Sequence, residues 1–297
     1  MADVNSFMKA DKKVSTRTGM MVGRIVGRVK KLRPFISVSA LLAVILAIGI
    51  VTMKPTVMFE PAPIDERAED MYSELLGRFV NREGLVKYDS LRQDPGLLKP
   101  FIDFIAAVSP RNHPERFPSA DHQKAYWINA YNALTMWRVI SQGVLTSVRG
   151  RDFGLNFFVL SKHTVGGERL SLYSIENRIL RRKFDDPRVH FAISCASGSC
   201  PPLASRVYDG EQLEKQLEAA AARFIHDTSN VYIDPVRQTV VLNRIFKWYA
   251  RDFGNSTGNV LRFLASYHPT LETELERQGS DHWKLRYQKY DWQLNEL

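Results

Sequence analysis

The 297-residue chain is 44% hydrophobic, 25% charged and 11% aromatic, with a formal net charge of +9; these are the proportions of a globular protein long enough for one large domain or two small ones. Residues 1–34 hold nine Lys or Arg against Asp3 and Asp11, which accounts for +7 and leaves the other 263 residues only +2. A body so nearly balanced carries no electrostatic footprint for DNA or RNA, so no nucleic-acid partner is expected.

The basic excess belongs to the stretch before residues 35–53, FISVSALLAVILAIGIVTM, which are 19 in number and uncharged. At the helical rise they span about 28 Å, roughly one hydrocarbon core. A cleaved signal peptide is the alternative, but the preceding tail is long and no small-x-small cleavage site follows closely. The expected organisation is a basic cytoplasmic tail (1–34), one transmembrane helix that makes the membrane a partner (35–53), a short proline-bearing tether (54–63) and a globular domain (64–297). The positive-inside rule puts that domain on the outer side, which in a bacterium is the periplasm, where Cys195 and Cys200 can pair.

Residues 64–81 read as an amphipathic helix with Met71, Leu75, Leu76 and Phe79 on one face and Gly84 as a stop. Residues 97–108 read as a second helix closed by Ser109-Pro110, and RNHPERFPS as a loop. Asp121 is placed to cap a long helix reaching about Gln142, with Gly143 as terminator. That helix is apolar or aromatic nearly all round, which predicts burial in the middle of the domain. Asn129 and Asn132 share one of its faces; they either tie neighbouring loops to the core or orient a catalytic group or substrate. Residues 157–165 and 168–170 flank Gly166-Gly167 as a hairpin, and Ser171 caps a helix over 172–182 that carries Glu176. Residues 189–194 are expected to be the buried central strand. A helix over 211–226, a second hairpin turning at Asp234-Pro235, a helix over 244–251 capped by Asn243, a short helix over 259–267 and strand-like aromatics from Lys284 complete the chain. Helices outnumber strands, so the predicted class is α+β: one domain with a small, mostly antiparallel sheet packed by helices.

Chemistry concentrates at RVHFAISCASGSCPPL, residues 188–203, which hold His190 and the only two cysteines. Cys195 and Cys200, with four residues between them, admit three readings. One is a disulfide. Another is a metal site, for which only His190 lies near in sequence where about four ligands are needed. The last is a thiolate nucleophile with a histidine base and a carboxylate or amide to orient it, drawn from His190, Glu176, Asn129 and Asn132. On an extended strand His190 and Cys195 would face opposite ways, so Cys200 is the easier partner; His190 as a plain core histidine is the competing reading. Cys200 and Arg206 have the Cys-five-Arg spacing of thiol phosphatases, but Pro201 and Pro202 lack the N–H groups a phosphate cradle needs. No glycine-rich nucleotide loop or HExxH helix occurs, and neither cofactor nor metal is expected.

YWINAYNALT, LSLYSIENRILR, HFAISCASGSCPPL, IFKWYARDFG and YDWQLNEL, in that order, resemble the domain-of-unknown-function family 547 over about residues 70–297. The second motif usually reads Ile-Glu-His in that family, and Asn177 replaces the histidine here. The resemblance implies a shared fold and a shared site that holds His190 and both cysteines; it implies no reaction. The residues themselves lead to the expectation of a membrane-anchored, cysteine-dependent hydrolase or acyl transferase: Cys200 or Cys195 attacks, His190 takes the proton, Glu176 or Asn129 orients the imidazole, and amides of the 196–199 loop hold the oxyanion. The alternatives are a non-catalytic envelope module stapled by a Cys195–Cys200 disulfide, and a dithiol redox protein.

Overall fold

The structure, a computed structural model, describes Asp65 and residues 67–144, 146–150, 152 and 154–297. All belong to the second of the two units into which the chain divides, Ile64–Leu297. The expected tail, transmembrane helix and tether lie outside the described residues, and no helix among the described residues is long and apolar enough to cross a membrane.

The fold is α+β. Helix α1 (Ala68–Phe79) buries Tyr72, Leu75, Leu76 and Phe79, and Tyr72 stacks on Phe101 with ring centroids 4.3 Å apart. A short α2 (Tyr88–Gln93) precedes α3 (Leu98–Ala107). The long α4 (Ala120–Ser141) has 15 of its 22 residues buried, as its all-round apolar pattern predicts. Its cap is not Asp121 but Ser119, whose extended backbone precedes the first turn and whose Oγ accepts the His122 amide. Asp121 instead sits in that turn, where a carboxylate suits the helix dipole.

The first hairpin is shorter than its pattern predicts, with β1 (His163–Val165) antiparallel to β2 (Glu168–Leu170). Leu155–Leu160 forms a π-helical turn instead of a strand. Gly154 enters it at φ +84°, and the Asp152 carboxylate accepts the Gly154 and Asn156 amides. Neighbouring Phe157 and Phe158 are both buried against each other, which a strand, sending successive side chains to opposite faces, would not allow. Helix α5 follows Ser171 as predicted; it runs through Leu172–Ser174, a π segment Ile175–Leu180 and Arg181–Phe184, and Ser171 Oγ accepts the Ser174 amide.

The expected central strand is also corrected. Val189–Ala192 is a helical turn, α6, started by Asp186, whose carboxylate accepts the Arg188 amide; only at Ile193 does the backbone become extended. All four residues of the turn are buried, because they lie between two apolar clusters. Ala192, Ile193 and Ala196 pack with α1, α3 and α4. Phe191 joins Phe224, Phe246 and Phe253 of the C-terminal half. A four-residue apolar run looks the same in a buried strand and in a helical turn wedged between two cores.

Beyond it come α7 (Leu213–His226), the hairpin β3 (Val231–Asp234) and β4 (Thr239–Leu242), α8 (Ile245–Trp248), α9 (Thr257–Ala265), α10 (Pro269–Gln278) and β5 (Lys284–Tyr287). The sheet order is β3-β4-β5, antiparallel at the first pairing and parallel at the second. The last residues cross back over the domain. Leu294 N donates to Thr146 O, Asn295 N to Ala196 O, and Val86 N to Asn295 O.

Gly84 backs onto the cysteine loop. Its φ is +82°, and a Cβ there would stand 2.5 Å from Pro202 Cβ and 2.6 Å from the Leu203 nitrogen. Backbone cannot yield as a flexible side chain can, so Gly84→Ala should lower the free energy of unfolding by about 2–4 kcal/mol, measured by urea denaturation. A change within a few tenths would show that Gly84 and Pro202 are not in this contact.

Candidate functional site

The cysteine loop is built from its approach outward. Asn132 on α4 accepts the Ser194 amide at 2.9 Å and donates to Ala192 O at 2.9 Å, clamping the chain as it leaves α6. Asn129, one turn earlier, treats Tyr208 in the same way, at 2.9 and 2.8 Å. Both amides are thus spent on main chain. Ala196 then takes φ +62°, a left-handed turn that folds the loop back and brings Cys200 against Cys195. The two are joined as a disulfide, and the Cys195 amide points at Cys200 Sγ, 2.7 Å away.

Two hydroxyls stand over Cys195 Sγ: Ser197 Oγ at 3.0 Å and Tyr290 OH at 3.4 Å, themselves 3.1 Å apart. Burial raises the Tyr290 phenol above its ordinary value, and the Ser197 hydrogen bond only partly opposes this. Three of the loop's amides are already committed. Gly198 N donates to Gln293 O, Ser199 N to Asp291 O and Cys200 N to Ser197 O. Cys200, partly exposed, forms one wall of a hollow of about 120 Å³.

The predicted base and orienting acid lie in a second cluster. His190 is 2% exposed; its Nε2 is 2.6 Å from Asp252 Oδ2, and its ring stacks on Tyr249 at 4.0 Å. An ionised carboxylate only accepts, so Nε2 carries the proton. Arg181 grips the same carboxylate through Nε and Nη2, at 2.6 and 2.9 Å, and donates Nη1 to Asn177 Oδ1. Glu176 is buried and accepts from Tyr249 OH and, at 3.5 Å, from Tyr131 OH. Burial, reinforced by the Glu176 charge, holds both phenols well above their usual value. Among the described residues no histidine is hydrogen-bonded to either sulfur, and no group of three or more His, Cys, Asp or Glu converges as metal ligands would.

The site residues named from sequence therefore fall into three places. The cysteines pair with each other, His190 and Glu176 share the Tyr249 cluster, and the asparagines hold backbone. Ser197, Tyr290, Asp252, Arg181, Tyr249 and Tyr131 were not singled out. Tyr290 and Asp252 stood within YDWQLNEL and IFKWYARDFG, and a phenol and a carboxylate in aromatic stretches were the only signal.

These features define an α+β domain with a disulfide-closed loop held at the junction of two cores. Residues 115–225, which contain both asparagines, Glu176, His190 and both cysteines, match the model of the family described as "Protein of unknown function, DUF547"; the family resemblance is borne out over these residues, which hold the first three of the five motifs. No curated protein matches the chain, and no solved structure does.

Burial alone would raise the Asp252 carboxyl, but the hydrogen bonds from His190 and Arg181 outweigh it and hold it far below the ordinary carboxylate range. A folded-state pKa depressed in this way means that the unfolded chain binds the extra proton. The stability that Asp252 contributes is complete above the ordinary Asp value of about 4 and is lost as pH falls below it. Asp252→Asn should cost about 1–3 kcal/mol at pH 7 and flatten the decline of stability below pH 4, measured by denaturation across pH. An unchanged acid limb would remove Asp252 as the group responsible.

Proposed function

We propose that residues 64–297 form a thiol–disulfide exchange module, held at the outer face of a membrane by residues 35–53, with Cys195–Cys200 as its working couple. The observation that carries this reading is the unequal setting of the two cysteines, both partly exposed. Cys200 lines the hollow, whereas Cys195 lies against the hydroxyls of Ser197 and Tyr290.

A substrate thiolate in the hollow attacks Cys200 Sγ, and the S–S electron pair passes to Cys195 Sγ. There the Ser197 and Tyr290 hydroxyls are within donor reach of the new charge. A second substrate thiolate attacks the substrate sulfur of the mixed disulfide and releases Cys200. The substrate leaves as a disulfide, and the two thiol protons end on Cys195 and Cys200. The reverse sequence reduces a substrate disulfide.

A cysteine hydrolase or acyl transferase fits the geometry less well. It needs an imidazole at sulfur and amides free for an oxyanion; His190 is held by Asp252, and the Gly198, Ser199 and Cys200 amides are already donated. A pure staple also fits less well. Closing a six-residue loop contributes only about 2 kcal/mol in the chain-entropy account, and the C-terminal segment already pins that loop by backbone bonds.

Equilibration in thiol–disulfide buffers, read by alkylation and intact mass, tests the reading. The expected result is a reversible two-electron couple in the range of exchange proteins, roughly −120 to −270 mV; a couple far below −300 mV would identify an inert staple. In the reduced protein Tyr290→Phe should raise the Cys195 thiol pKa by about one unit, the worth of one hydrogen bond to a charged group, measured by pH-dependent alkylation of the Cys200→Ser background. No shift would take Tyr290 out of the mechanism.

A further inference from the structure

The hollow at Cys200 has a composition of its own. Among the described residues its lining carries two carboxylates, Glu83 and Asp227, and no cationic side chain. Glu83 is exposed and next to the Gly84 turn. Asp227 is oriented by its own loop: Oδ1 accepts the Ser229 amide at 2.8 Å and Oδ2 accepts Asn230 Nδ2 at 3.2 Å. Each carboxylate oxygen has a second lone pair, so both acids can still face a ligand. Opposing charges sit outside the lining: Arg82 directly precedes Glu83, and Arg223 reaches the same turn by donating to Arg82 O.

The floor is polar and well defined. Asn295 lines the hollow and is 6% exposed. Its Oδ1 accepts from Tyr88 OH at 3.1 Å, and its Nδ2 makes one long contact, 3.4 Å, to Gly84 O. An amide nitrogen has two protons, so a buried donor is left for a ligand's acceptor. The volume, about 120 Å³, is well below that of a drug-sized site and suits one thiol-bearing group of a few heavy atoms.

We propose that the Cys200 hollow selects thiols carrying a positive charge near the sulfur, such as an aminothiol or a cysteine flanked by an amino group, with Glu83 and Asp227 attracting the cation and Asn295 donating to a neighbouring acceptor. This rests on the exchange reading above and adds the class of substrate. The reaction is the one already balanced: two such thiols are oxidised to their disulfide while Cys195–Cys200 is reduced.

The test uses the oxidised full-length protein in detergent and three small thiols. Cysteamine is cationic, 2-mercaptoethanol neutral and 3-mercaptopropionate anionic. Second-order rates of disulfide opening are divided by the thiolate concentration and by each thiol's rate with a neutral model disulfide. The expected order is cysteamine fastest and mercaptopropionate slowest, with roughly three- to tenfold between neighbours at low salt, shrinking as ionic strength rises. Glu83→Gln, at an exposed position with little consequence for folding, should remove part of the difference, and Glu83→Gln with Asp227→Asn most of it. Equal normalised rates, or selectivity untouched by both variants, would overturn the charge selection and leave the exchange reading standing. Failure of all three thiols to open the disulfide would overturn both.

Discussion

The site depends on backbone hydrogen bonds between the last residues of the chain and the 196–199 loop. Asn295 N reaches Ala196 O, Gly198 N reaches Gln293 O and Ser199 N reaches Asp291 O. Asp291 N returns the contact to Ser199 Oγ at 2.8 Å. These bonds hold the loop in the left-handed turn at Ala196 and bring the Tyr290 hydroxyl to Cys195. They also occupy the Gly198 and Ser199 amides, which would otherwise be free to bind an anion, so the same contacts favour one chemistry over another.

The loop is held from below as well. Asn132 fixes its approach, and Asn243 donates to Ser199 O at 2.9 Å and to Asn230 Oδ1 at 3.0 Å, linking the cysteine loop to the turn that borders the hollow. Around it, the carboxylates of Asp252 and Glu176 sit in satisfied sets, although the Ser194 hydroxyl beside Cys195 is buried with no hydrogen-bond partner among the described residues. Asp252 has His190 and Arg181, and Glu176 has two phenols. A buried charge left without its partner costs about 3–5 kcal/mol, whereas each satisfied bond is worth only about 1–3 kcal/mol. Such clusters tolerate little loss, and they tie α5, α6 and the segment after α8 together across the two cores.

The helices were largely legible in the sequence, because apolar spacing and end signals report them directly. Tyr72, Leu75, Leu76 and Phe79 mark α1, the near-continuous apolar surface marks α4, and Ser171 marks the start of α5. Both hairpins were legible from Gly166-Gly167 and Asp234-Pro235. The two strands expected in error were local and had one cause. Residues 157–160 and 189–192 are short apolar runs that suit a strand as well as a tight helical turn, and only the presence of core on more than one side decides for the turn. Pro269 at the first position of α10 is a start signal that could have been used.

The sequence by itself determined that the two cysteines lie close, with small residues between them, that a buried asparagine-bearing helix crosses the domain, and that the chain resembles one family; these follow from residue type and spacing along the chain. Tertiary structure alone decided the company each reactive group keeps. His190 turned to Asp252 and not to sulfur because its segment is helical, which no periodicity over four residues can reveal. Tyr290 came to Cys195 from 95 residues away, through backbone pairing by a segment whose own pattern says only that it is aromatic. Partners distant in sequence are chosen by how the cores close, and that choice is not written at any one position.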